Sequence, residues 1–214
     1  MMVIAFTGVK GAGKTTASNF LKEAIPELRE VILADALKNA SAMVFKIARN
    51  SFDDPKTKEK EFIMPIYLDE RAVSSIFRCF NIEPNYDLHV RPHIGTVLHS
   101  PRRVAQYVGT EILRNYDSDI HCKTADLNIG SDGTFVITDM RFPSEYDYFH
   151  GKYGQNFYPY YINNFMAESY VDNHPSEKGV LEVAKHCLKI DNNGTLEDFR
   201  TKILKLSEDL MKNR

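Results

Sequence analysis

The chain has 214 residues, 43% of them hydrophobic, which suits one α/β domain with a small insertion and a core that needs no staples. Its formal net charge of -2 lacks the basic excess with which proteins grip duplex nucleic acid, so nucleic acid is excluded as an expected partner. Cys79, Cys122 and Cys187 are odd in number and far apart, which speaks for a reducing compartment and against a disulfide framework or a zinc site.

Val3 to Phe6 is a continuous apolar run, the pattern of a strand covered on both faces. It is short and lacks a charged leader, so it reads as a first strand and not as a signal peptide. A glycine-rich turn, Gly8 to Gly13, precedes a helix predicted over Thr15 to Ile25, stopped near Pro26. Val31 to Leu33 reads as a second strand ending at Asp35, and a helical pattern runs from about Ala36 to Arg49. A further helix is expected over Asp69 to Phe80, followed by a loop-rich stretch punctuated by Pro84, Pro92 and Pro101. Ser100-Pro101 opens a helix predicted to reach Tyr116. Thr134 to Thr138 is a third buried strand, Phe157 to Ile162 a fourth and Leu188 to Ile190 a short fifth. Thr195 caps the last helix, with Asp198 three residues on as its capping-box partner. Apolar strands alternating with helices imply a parallel sheet covered on both sides. No apolar run approaches a membrane span, so neither a membrane partner nor a location outside the cytoplasm is expected.

The chemistry is carried by Gly8-Val9-Lys10-Gly11-Ala12-Gly13-Lys14-Thr15, a full match to G-x-x-x-x-G-K-[ST], with Thr16 following. The glycines let backbone N–H groups converge on phosphate oxygens, and the following helix turns its positive end to the same anion. Lys14 supplies a mobile charge to the β- and γ-phosphates of ATP, and the Thr15 hydroxyl suits Mg²⁺. Asp139 ends the third strand and is the second candidate for Mg²⁺, though a carboxylate there also suits a turn or helix cap. Arg141 and Glu145 follow; the two are four apart and could equally form an ion pair. Asp35 is an acceptor contact or a helix cap. Arg102 and Gln106, four apart on one helix, can meet an anion and a base edge together. The seven histidines have no metal-ligand spacing and read as structural or surface residues.

The chain resembles the phage-type deoxynucleoside monophosphate kinases, a P-loop family. The likeness rests on the P-loop and on Leu33-Ala34-Asp35-Ala36-Leu37-Lys38. It continues in the run from Ser100 to Glu111, which holds Arg102, Gln106, Gly109 and Thr110. Ile137 to Glu145, His174 to Glu177 and Asn193 to Leu196 complete it. The resemblance implies a three-layer P-loop kinase fold with a five-stranded parallel sheet. It also implies one domain, with a helical acceptor-binding insertion at about 36–116 and a lid-like segment at about 163–178. It assigns Asp35, Leu37, Lys38, Arg71, Arg102, Gln106, Gly109, Thr110, Arg141 and Glu145 to the substrate, and Lys14, Arg102, Asp139 and Arg141 to catalysis. The implied reaction is ATP- and Mg²⁺-dependent phosphorylation of deoxynucleoside monophosphates, in the host cytoplasm if the protein is phage-encoded; a homodimer is compatible with it. His121 stands where the family often has a tryptophan, and Asn163 and Asn164 where an arginine is common. A P-loop kinase of another metabolite and an ATPase without an acceptor are the alternative readings.

Overall fold

A computed structural model of the chain describes residues 1–168 and 175–212. His174 and most of the expected lid-like segment's middle, residues 169–174, lie outside them. The strands are β1 (Met2–Thr7), β2 (Arg29–Val31), β3 (Ile66–Tyr67), β4 (Val97–Leu98), β5 (Thr134–Ile137), β6 (Phe157–Asn163) and β7 (Leu188–Asp191). The helices are α1 (Lys14–Ala24), α2 (Asp35–Phe45), α3 (Glu70–Cys79), α4 (Pro101–Tyr107), α5 (Ile120–Asp126), α6 (Pro143–Tyr153), α7 (Phe165–Glu168), α8 (Pro175–Ala184) and α9 (Leu196–Lys212). Two compact units result, Met1–Leu33 with Ala125–Arg214 and Ala34–Thr124.

The first unit is built on a five-stranded sheet in the order β2-β5-β1-β6-β7, every neighbouring pair parallel. All of β1 and β5 is buried, as expected of uninterrupted apolar runs in a sheet covered on both faces. Helices flank the sheet. The stripe of α9 meets α1, where the rings of Phe20 and Phe199 pack edge to face at 6.2 Å. The Thr195–Asp198 capping box forms: Thr195 N–H donates to Asp198 Oδ2 at 2.9 Å, and Asp198 N–H to Thr195 Oγ1 at 3.1 Å. Because the strands are parallel, the chain leaves β1, β5, β6 and β7 at one edge of the sheet, the edge at which open α/β sheets bind ligands.

Two details differ from expectation in this unit. The second strand lies at 29–31, earlier than the apolar run 31–33, because the Leu33 N–H is taken by the Asp139 carboxylate at 2.8 Å and not by a strand neighbour. Its charged Arg29 and Glu30 suit an edge strand. Residues 143–153 form a helix, with Pro143 at its first position, where the missing N–H has no cost.

The second unit is a helical body around Leu37, Phe77, Val104, Val108 and Ile112. The Asp69 side chain caps α3 by accepting from Ala72 N–H at 2.7 Å, and Ser100 Oγ caps α4 by accepting from Arg103 N–H at 3.3 Å. The helix expected to 49 ends at Phe45, because Lys46 turns left-handed at φ 54°. The helix expected to run unbroken to Tyr116 is α-helical only to Tyr107; Val108–Arg114 widens into a π-helical turn. Gly109 lies in that turn, and a Cβ there would stand 2.8 Å from Leu37 Cδ2, so glycine is what lets Leu37 pack against the backbone. The loop-rich stretch after α3 supplies β4 of a two-stranded antiparallel ribbon whose other strand, β3, precedes α3; with Ile66 opposite Leu98 it is too short to leave an alternating pattern.

Candidate functional site

In the first unit the turn between β1 and α1 has the shape its glycines allow. Gly11 and Gly13 lie at φ 85° and 107°, a region side chains disfavour. At Gly8 the obstacle is contact: a Cβ would stand 2.8 Å from the carbonyl oxygen of Ile162 in β6. Gly13 is the residue before α1, so the first N–H groups of that helix open onto the loop. Lys14 reaches back over the loop, and its ammonium donates to the Gly8 carbonyl at 2.5 Å and the Val9 carbonyl at 2.9 Å. Thr15 is exposed and Thr16 half-buried, while Lys10 and Gly11 lie at the surface and Ala12 is buried. A glycine turn free of Cβ atoms at Gly8, Gly11 and Gly13, with an ammonium over it and a helix start behind it, fits a polyphosphate.

Asp139 and Arg141 follow β5 at the same sheet edge. Asp139 uses Oδ1 to hold Leu33 N–H, which ties the ends of β2 and β5 together. Arg141 is fixed through its backbone. Its N–H donates to Glu145 Oε2 at 2.5 Å, and its carbonyl lies where a Cβ on Gly179 would stand 2.5 Å away. Glu145 also accepts from Phe142 N–H at 3.0 Å and is only 2% exposed. Glu145, which the resemblance assigns to the substrate and whose spacing also allows an ion pair with Arg141, is a buried carboxylate holding the first turn of α6.

The second unit holds the remaining sequence-predicted residues. Lys38 donates to Asp53 Oδ1 at 2.7 Å. Asp35 accepts from Arg49 Nη2 at 2.5 Å and from Asn39 Nδ2 at 3.1 Å, and Arg49 pairs with Asp53 as well. Burial works against the Asp53 charge, but the hydrogen bonds from Lys38 and Arg49 outweigh it and hold that carboxyl below its ordinary pKa. Arg49 was not singled out from sequence; its spacing of four from Asp53 was the available signal. Arg102 lies 3.4 Å from Glu59 Oε1, and Arg103 donates to Gln106 Oε1 at 3.2 Å. Thr110 is half-buried in the π-helical turn beside Gly109, and Arg71 is exposed in the first turn of α3.

His121 is buried, and its Nε2 lies 3.2 Å from the Gly109 carbonyl. A carbonyl only accepts, so Nε2 carries the proton. Burial, aided by the Arg114 charge, pushes its pKa down to about 4 against 6.5 ordinarily; the Gly109 bond and Asp117 oppose this. The unfolded chain therefore takes up this proton as pH falls through 6.5, while the folded chain resists until about 4. The stability is whole above 6.5 and is lost as pH falls between those values. Between pH 7 and 4.5 the loss from this group is expected to be about 2–3 kcal/mol. Urea denaturation of wild type and His121→Gln checks it; the glutamine keeps a donor but does not titrate, so that part of the slope should vanish.

No protein family model matches the chain. Over an alignment of 219 positions the chain is 27% identical to a protein of Acanthamoeba polyphaga mimivirus named "Putative deoxynucleotide monophosphate kinase", with 95% of each chain covered. The full-length likeness is thus to a protein named as a nucleotide kinase. Among the described residues no helix is long and apolar enough to cross a membrane.

Proposed function

We propose that the protein is a P-loop nucleotide kinase that transfers the γ-phosphoryl group of ATP to the phosphate of a deoxynucleoside monophosphate. The observation that carries this reading is the glycine cradle between β1 and α1, with Lys14 above it, at the carboxyl edge of a parallel sheet. The name of the mimivirus relative supports the acceptor class.

In this reading the N–H groups of Gly8 to Thr16 and the Lys14 ammonium hold the triphosphate. Thr15 and Asp139 would hold Mg²⁺, which would supply positive charge to the triphosphate. Asp35, Leu37, Lys38, Arg71, Arg102, Gln106, Gly109 and Thr110 serve the acceptor nucleotide. The acceptor phosphate is already a nucleophile, so positioning and charge neutralisation are the protein's work and no strong base is required. A hydroxyl acceptor would call for a carboxylate, and the candidate, Asp35, is engaged by Arg49 and Asn39, which favours the phosphate acceptor.

The test is ATP consumption against a panel of ribo- and deoxynucleoside monophosphates. Stimulation by at least one deoxynucleotide is expected; ATP hydrolysis indifferent to every monophosphate would overturn the reading. Arg102→Ala is expected to raise the KM for the monophosphate about tenfold or more, the size of a lost charged contact, with the KM for ATP nearly unchanged. An effect on the ATP KM alone would remove Arg102 from the acceptor site.

A further inference from the structure

Asn192 lies just past β7, where asparagine most often turns its side chain onto its own backbone. Here it does not. Its side-chain Nδ2 donates to the carbonyl of Ala12, 180 residues away, at 2.8 Å. Its own N–H is held by the Asn163 carbonyl at 2.8 Å, and Asn163 Nδ2 donates to Asp191 Oδ1 at 2.6 Å. The amide is therefore presented from a strand end tied twice to Asn163 of β6. Gly13 makes room for it: a Cβ at that position would stand 2.5 Å from Asn192 Nδ2.

We propose that Asn192 is a positioning residue that aims the phosphate-binding loop; this rests on the reading that the loop holds ATP. The peptide unit is planar and trans, so the Ala12 carbonyl and the Gly13 N–H point in opposite directions. Pinning the carbonyl to Asn192 fixes that plane and turns the Gly13 N–H away from Asn192. Gly13 is free of a Cβ and lies at φ 107°, so without the tie this plane turns more freely than one flanked by residues with side chains. The adjacent Asn193 extends the brace, its Oδ1 accepting from Phe165 N–H at 2.9 Å at the start of α7. Pre-orienting a donor lowers the ordering that binding must otherwise impose, so the expected effect lies on affinity for the triphosphate.

The experiment is calorimetric titration of ATP into wild type, Asn192→Ala, Asn192→Asp and Asn193→Asp, with melting temperatures measured without nucleotide. Asn192→Ala is expected to weaken ATP about tenfold, the size of one neutral hydrogen bond, with the KM for the monophosphate within about twofold. Asn192→Asp has nearly the same shape but faces the Ala12 carbonyl with an acceptor, so it should weaken ATP at least as much. Asn193→Asp places the same charge one residue on without touching Ala12 and should have the smaller effect. ATP affinity within about twofold of wild type in Asn192→Ala and Asn192→Asp would overturn the inference, whatever their melting temperatures, and leave Asn192 as a sheet-edge residue. Should the alanine variant fail to fold, the comparison of the two aspartate variants decides alone. If wild type binds no ATP, the reading of the loop as an ATP site falls and this inference with it; if wild type binds ATP and the variants match it, only this inference falls.

Discussion

Lys14→Ala is expected to lower kcat/KM by about a thousandfold or more, about 4 kcal/mol of transition-state stabilisation, while the fold survives. The side chain is half-buried and its stem carries little of the core, whereas its ammonium is the charge that the loop holds over its own centre. Two losses combine. The transferring phosphoryl group loses a cation. The loop also loses a tie, because the same ammonium joins the Gly8 and Val9 carbonyls. The two separate by measurement: loss of the tie appears as weaker ATP binding, and loss of the transition-state charge as a lower kcat at saturating ATP. Lys14→Arg should not rescue, since a planar guanidinium does not reproduce a compact ammonium directed at two adjacent carbonyls. Circular dichroism establishes folding. A folded Lys14→Ala enzyme with more than about a tenth of wild-type turnover would show that this loop is not the donor site.

The glycine turn between β1 and α1 was legible because its pattern is local. Eight consecutive residues state which positions need no side chain, where the charge lies and where the helix begins. The central strands β1 and β5 were legible because parallel strands buried on both faces leave unbroken apolar runs, as in Val3 to Phe6 and Phe135 to Ile137, whereas β2, with exposed Arg29 and Glu30, was expected two residues late. The ribbon of Ile66 and Leu98 was not, since two residues carry no period. Polar partners in the second unit were hidden for another reason. Lys38 meets Asp53, and Arg102 meets Glu59 43 positions away, and no helical spacing encodes a pair that tertiary packing creates. Glu145 shows what spacing alone leaves open. The i, i+4 spacing from Arg141 allowed an ion pair but did not show that Pro143 starts a helix between them. The carboxylate folds back onto the N–H groups of Arg141 and Phe142, the reciprocal half of an N-terminal cap.

Arg141→Ala is expected to lower kcat about a hundredfold, about 2.7 kcal/mol of barrier, with a much smaller effect on either KM. The expectation begins with an absence in the sequence: Asn163 to Lys178, the stretch that resembles a lid, has no arginine and one lysine. Charge spreading over the moving phosphoryl group has to be met from elsewhere. Arg141 follows the strand end that carries Asp139, and its backbone is held on both sides. The Glu145 carboxylate takes its N–H, and the backbone at Gly179 closes on its carbonyl, where a Cβ would stand only 2.5 Å away. A cation rooted in so fixed a backbone needs no main-chain reorganisation, and preorganised charge is what stabilises a transition state most. If Arg141 were structural, its loss would appear in the melting temperature and leave kcat within about threefold, well under about 1 kcal/mol. Glu145→Ala separates support from chemistry. It removes the acceptor for two backbone N–H groups, one of them Arg141's own, and should cost about 1–3 kcal/mol in stability. Arg141→Ala should cost little there. A hundredfold fall in kcat for Arg141→Ala at an unchanged melting temperature assigns the charge to the reaction; a fall in melting temperature with kcat preserved assigns it to the fold.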